Sequence, residues 1–202
     1  MYKKLAYLVL GFHGCDQDVY EKVIKNNESL KASVNDHDWL GHGQYFWENN
    51  YERAMDWAKE QSKKQNSHIK SPAVVGAIID LGYCLNLMDN LSINIVKNAY
   101  DMMKKDFELI GKSMPVNRNT LESKDLLIRN LDCAVIQYLH NYNIQKNEDE
   151  YDSVRGLFYE GEELYENAGF RSKTHIQICV VNPNCIKGYF APIIRDVNYK
   201  NP

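Results

Sequence analysis

The chain has no CxxC pair among its 202 residues and an odd number of cysteines, five: Cys15, Cys84, Cys133, Cys179 and Cys185. That usage favours neither a disulfide framework nor a thiolate zinc site. Cys179 falls inside an apolar, strand-like run and reads as a small core residue. No block of Lys and Arg stands out and the formal net charge is −3. A purely electrostatic grip on nucleic acid is therefore not indicated, while nucleic acid as a substrate is left open. No apolar run is long enough to span a bilayer. The opening MYKKLAYLVLGFHG joins a positive start to a short apolar stretch and runs directly into patterned sequence. It reads as a first strand, not a signal peptide, and a cytoplasmic protein is expected. Repeats and low-complexity tracts are lacking too.

What is present is ordinary in bulk: 44% hydrophobic and 25% charged residues, enough for a sizeable core. The length suits one domain, residues 1–202, or one domain with a helical insertion, which would fall at about 90–145. The 14 tyrosines outnumber the 6 phenylalanines, and most are expected at ordinary half-buried positions.

Periodicity predicts a buried strand over 4–12, a short helix over 17–25 and a helix over 50–65 with Asn50 as N-cap. Ala54, Trp57, Ala58 and Gln61 share one face of that helix. The β-branched run at 71–87 reads as the strongest strand, ended by Gly82. Helices are expected at 91–111 and 121–143, an irregular glycine-punctuated segment at 154–170, a strand at 174–182, and another strand or edge after Pro183. Strands and helices are segregated rather than strictly alternating, which predicts an α+β fold.

Two stretches carry the chemistry. GFHGCDQD, residues 11–18, places His13 and Gly14 at the end of an apolar strand. WLGHGQYFWENN, residues 39–50, brings two glycines and Tyr45 just before a helix. In this order, with the LG turn of VVGAIIDLGYCLNL and the late strands THIQICVVNPNCIKGYF, the chain resembles the ADP-ribosyltransferase superfamily, the fold of diphtheria-type toxins and poly-ADP-ribose polymerases. The likeness touches most of the chain except about 90–150. It implies a split β-sheet core with flanking helices, and NAD as the substrate. His13 would hydrogen-bond a ribose of NAD and the Gly14 backbone would hold the nicotinamide carboxamide. Tyr45 would stack on the nicotinamide ring, with Tyr51 or Trp57 as a second face. Gln177 would stand at the position of the catalytic acid, and Arg155 is a candidate for the pyrophosphate.

The residue types suit those roles. An aromatic face attracts a cationic ring, glycine allows close backbone approach, and histidine both donates to and accepts from hydroxyls. Breaking the nicotinamide–ribose bond develops oxocarbenium character, which a carboxylate would stabilise. Gln177 carries no charge, so the resemblance implies transfer of a single ADP-ribose and no polymer. A carboxylate from RGLFYEGEELYE, with Glu160 first and Glu163 second, is the alternative acid; otherwise Glu160, Glu162, Glu163 and Glu166 are a solvated acidic face. His175 shares the strand face of Gln177. The implied partners are NAD, a macromolecular acceptor (protein or nucleic acid) and a regulatory or antitoxin protein, as in an intracellular toxin or anti-phage factor. Two other readings stand beside this one: an inactive NAD-binding or interaction module, and a metal-dependent hydrolase using Asp36, His37, Asp38 and His42.

Overall fold

The computed structural model describes residues 8–119, 125–193 and 198. Its elements run β1 (Leu8–Asp16), α1 (Gln17–Asn26), β2 (Gln44–Glu48), α2 (Tyr51–Ser62), β3 (Pro72–Asp80), β4 (Cys84–Asn86), α3 (Asn90–Leu109), β5 (Asn117–Arg118), β6 (Ile128–Arg129), α4 (Asn130–Lys146), β7 (Ser153–Phe158), β8 (His175–Val180) and β9 (Ile186–Phe190). Seven strands form one sheet in the order β4-β7-β8-β2-β1-β3-β9, and β5 with β6 makes a small ribbon. Among the described residues the only parallel pair in the large sheet is β4 with β7. Mostly antiparallel strands with four helices make an α+β architecture. No described helix is long and apolar enough to cross a membrane.

Strand alternation gives the sheet two different faces. One carries Cys15, Phe46, Val75, Ala77, Ile79, Ile178 and Val180, and α1 covers it through Val19 and Val23. The opposite face is covered twice. The α2 helix packs on β1, β2 and β3 around Trp47, Ala54 and Val74. The α3–α4 pair covers the other end through Ala99, Met103, Ile136 and Leu139, against Leu85, Val154 and Cys179. Between those two covers lies a strip of β2 and β8.

Local chemistry explains the boundaries. Asp16 ends β1 and starts α1, its carboxylate accepting the Asp18, Lys70 and Ser71 amides. The Asn50 side chain accepts the Arg53 amide and caps α2, as its position predicts. The run 71–87 breaks into β3 and β4 at Gly82, whose φ is +59°.

The structure also departs from expectation. β1 continues through His13 and Gly14 to Asp16, because each pairs with β3, opposite Val75 and Val74; the start of the expected strand lies outside the described residues. The expected helix at 121–143 begins later, at Asn130, after Ile128–Arg129 has paired with Asn117–Arg118; residues 121–124 are likewise outside the described ones. VRGLF, expected to be irregular, belongs to the strand β7. The sheet is continuous rather than divided. β1 and β2 join only through Gly11–Glu48 and Phe12–Trp47, so the expected split is reduced to a narrow junction beside His13 and Gly14.

Candidate functional site

Register across the sheet puts Phe12, Trp47, Gln177 and Gly156 in one row, opposite one another on successive strands. They therefore share the face that α2 and the α3–α4 pair only partly cover. Gln177 is half-buried there. Its Oε1 accepts the Trp39 indole N–H at 2.7 Å, and its Nε2 lies 3.1 Å from His175 Nε2. His175 is buried, its ring stacked on Phe158 with centroids 5.5 Å apart and tilted 6.0 Å from Trp47. Burial pushes the His175 pKa down to about 4; its bond to the Lys173 carbonyl opposes that shift, and the Arg53 charge adds to it.

Beside this pair sits a buried arginine. Arg53, in the first turn of α2, is 8% exposed and bonds Glu160 through Nη2 at 3.1 Å. Its Nη1 is 3.9 Å from Glu60. Its Nε and Nη1 have no hydrogen-bond acceptor, nor does the buried Trp47 indole N–H. The guanidinium lies 5.9 Å from the Trp47 ring, and Trp47 meets Trp57 at 5.5 Å. Buried donors without partners are costly in a folded chain, and these three lie on the same face as Gln177 and His175.

The residues singled out by motif are only partly gathered. Tyr45 and Gln177 leave the same face of neighbouring strands, with Tyr45 opposite Cys179. The Tyr45 hydroxyl is already engaged: it donates to the Gly41 carbonyl at 2.8 Å and accepts the Leu40 amide at 3.0 Å. It thereby pins the loop that carries Trp39, while its ring leans on the α3–α4 core. Gly41 suits that loop because its φ is +82°. His13 is displaced from the expected trio. Alternation turns its side chain to the α1 face, where the ring meets Phe46 at 6.0 Å and Nδ1 donates to the Tyr45 carbonyl at 2.8 Å. Burial lowers its pKa, opposed by that carbonyl bond.

Gly14 has a packing reason of its own. A β-carbon there would sit 2.3 Å from the Ala54 carbonyl of α2, so glycine lets the helix approach. Tyr51 and Trp57 flank this contact, Tyr51 meeting Phe12 edge-on at 5.9 Å. Arg155, the candidate for the pyrophosphate, lies on the other face. It projects to the α1 face in the row of Ile178, and its Nη2 donates to Glu48 at 2.7 Å while Nε donates to the other carboxylate oxygen. Its Nη1 donates to Asn86. The guanidinium is taken up by the protein and points away from Gln177. Glu163 pairs with Arg171 at 3.7 Å, so of the two candidate acids only Glu160 reaches the strip.

The Asp36–His42 loop turns on itself, Asp38 accepting the Asn35 amide at 2.8 Å. Among the described residues no group of three or more His, Cys, Asp or Glu side chains is placed to hold a metal ion.

Trp39, Trp47 and Arg53 were not singled out from the sequence. Two were open to inference: Trp47 is two residues from Tyr45 and so leaves the same face of a strand there, and Arg53 is one helical turn from Trp57. The Trp39 bond to Gln177 spans 138 residues and has no local signature.

No family model matches the chain, and no solved structure matches it. It is similar to the uncharacterized protein MJ0359 of Methanocaldococcus jannaschii, with 28% identity over 193 residues, covering 87% of this chain and 83% of that protein.

Proposed function

We propose that the chain is an NAD-dependent mono-ADP-ribosyltransferase acting on a protein or nucleic-acid acceptor. The observation that carries this reading is the half-exposed Gln177 amide on a strip walled by Trp47 and Trp57, next to the narrow β1–β2 junction. The strip suits NAD in its donors: Arg53 Nε and Nη1 and the Trp47 N–H lack protein acceptors, and NAD is rich in acceptor oxygens. Bound there, NAD would supply an electrophilic ribose carbon with nicotinamide as its leaving group.

The protein's part is mainly positioning. Trp57, which is half-exposed, offers aromatic surface to a cationic ring, and the buried Trp47 backs it at 5.5 Å. Gln177 offers hydrogen bonds to ribose hydroxyls but takes no proton, so it orients and does not act as a base. Glu160 is the carboxylate at hand, held by Arg53. This arrangement favours a single transfer over chain growth.

Incubation with labelled NAD in a cell lysate, followed by separation of protein, RNA, DNA and small molecules, tests the reading. Label in a macromolecular fraction, with release of nicotinamide, is expected. Neither label nor nicotinamide release sinks it. A second reading, an NAD-binding module without turnover, is favoured by the neutral Gln177 and the paired Glu160. In that case NAD raises the melting temperature while no nicotinamide appears.

A further inference from the structure

Gln177 is held at both ends of its amide. On one side, the Trp39 indole can only donate, and it donates to Oε1 at 2.7 Å. On the other side is His175, whose Nδ1 lies 2.6 Å from the Lys173 carbonyl. A carbonyl can only accept, so Nδ1 carries the ring proton. Nε2 is then the lone-pair nitrogen, and it accepts from the Gln177 NH2 at 3.1 Å. One wall of the position offers a donor and the other an acceptor. An amide matches both; a carboxylate would set an oxygen against the His175 lone pair.

We propose that Trp39 and His175 are positioning residues that lock the Gln177 amide in one orientation, making position 177 a site for an amide rather than an acid. The lock leaves one N–H and one carbonyl lone pair free, a donor and an acceptor side by side. That pair fits sugar hydroxyls, so this inference rests on the reading of Gln177 as the group facing the ribose. The lock itself is a matter of the protein's own contacts.

The surroundings keep both partners in place. The Trp39 ring meets Phe158 at 5.1 Å and the Arg129 guanidinium at 4.7 Å, and the Tyr45 hydroxyl pins the adjoining Leu40 and Gly41. His175 is stacked on Phe158 from β7 and sits against Trp47 from β2. The charges around it are Arg53 from α2, with its partners Glu160 and Glu60, and Arg129, which lies 5.6 Å from the Phe158 ring. Both nearby cations favour a neutral imidazole, consistent with a ring that only accepts at Nε2.

The test is nitrogen-15 NMR of the full chain. In the wild type, His175 is expected as the neutral Nδ1–H tautomer near pH 7, with the Trp39 indole N–H protected from exchange. In Gln177→Glu, His175 should either switch tautomer or bind its proton at least tenfold more tightly, a midpoint shift of one pH unit or more. An unchanged tautomer with an unchanged midpoint overturns the proposal. Trp39→Phe keeps the ring and removes the N–H, and covers the case in which Gln177→Glu does not fold. It should speed exchange of the Gln177 amide protons at least tenfold; unchanged exchange also overturns the lock. None of these readouts needs NAD. A lock that responds as described in a protein that binds no NAD would leave the inference standing and remove the proposed function instead.

Discussion

Two largely buried arginine–glutamate pairs lie on opposite faces of the sheet and are not alike. Arg155 grips Glu48 with two N–H groups and gives a third to Asn86. Arg53 reaches Glu160 with one, and its Nε and Nη1 find no acceptor. The first pair is closed: fork geometry matches both carboxylate oxygens, and the next strand takes what is left. The second is open, on the face where Gln177 and His175 lie. A fold stabilised by saturated networks has little reason to leave donors bare. The contrast therefore separates a saturated pair from one beside the proposed site.

Breaking the closed pair gives the largest expected effect. Arg155→Ala strands Glu48, whose side chain is 10% exposed, and should cost about 3–5 kcal/mol. Urea denaturation measures it. A loss below about 1 kcal/mol would mean that Glu48 escapes to water, and the distinction between the pairs would fail.

Next in size is a pH effect on the open face. His175 has a pKa of about 4 in the folded chain against an ordinary value of 6.5. Between those values the unfolded chain binds the proton and the folded chain does not, so stability rises with pH there. The contribution is fully present above about pH 6.5 and is lost as pH falls toward 4, reaching about 3 kcal/mol at roughly 1.4 kcal/mol per unit. His13 and His140 are shifted the same way by burial and add to the slope. In His175→Gln the slope between pH 4 and 6.5 should fall by up to one proton. Identical slopes in wild type and variant would show that His175 is charged in the folded state, which its contact with Gln177 forbids.

These two pairs also show what a single chain can reveal before it folds. THIQICVVN was legible as a strand, and period-two alternation put His175 with Gln177 on one face and Ile176, Ile178 and Val180 on the other. VRGLF was not legible, because Gly156 interrupts the pattern. The reason for that glycine is the Trp39 ring, which would lie 2.8 Å from a β-carbon there. Each arginine lies 107 residues from its glutamate, and nothing local marks either pair. His13 and Gly14 drew the eye because histidine and glycine end an apolar run. Yet a one-residue step along a strand reverses the face, and only the pairing of Phe12 with Trp47 and of His13 with Val75 decides which of the two looks toward Gln177.

The smallest expected change in stability comes from the open pair, and there it separates folding from function. Arg53→Met keeps the length and apolar stem of the side chain, which packs beside Trp47. It removes one hydrogen bond to Glu160 and, with it, two unsatisfied donors. Losing a bond to a charged group costs about 1.5–3 kcal/mol, and removing unsatisfied buried donors returns about 1–3 kcal/mol. Glu160 sits in the loop after β7, where it can turn to water and avoid the fate of Glu48. The net change should stay within about 1 kcal/mol of wild type by urea denaturation. The NAD-induced rise in melting temperature, which follows the ratio of ligand to Kd, should shrink with the loss of the buried donors. A stability loss as large as that of Arg155→Ala would make the two pairs equivalent. An unchanged NAD response would leave Arg53 a packing residue, and the open donors would then be the place of a buried water.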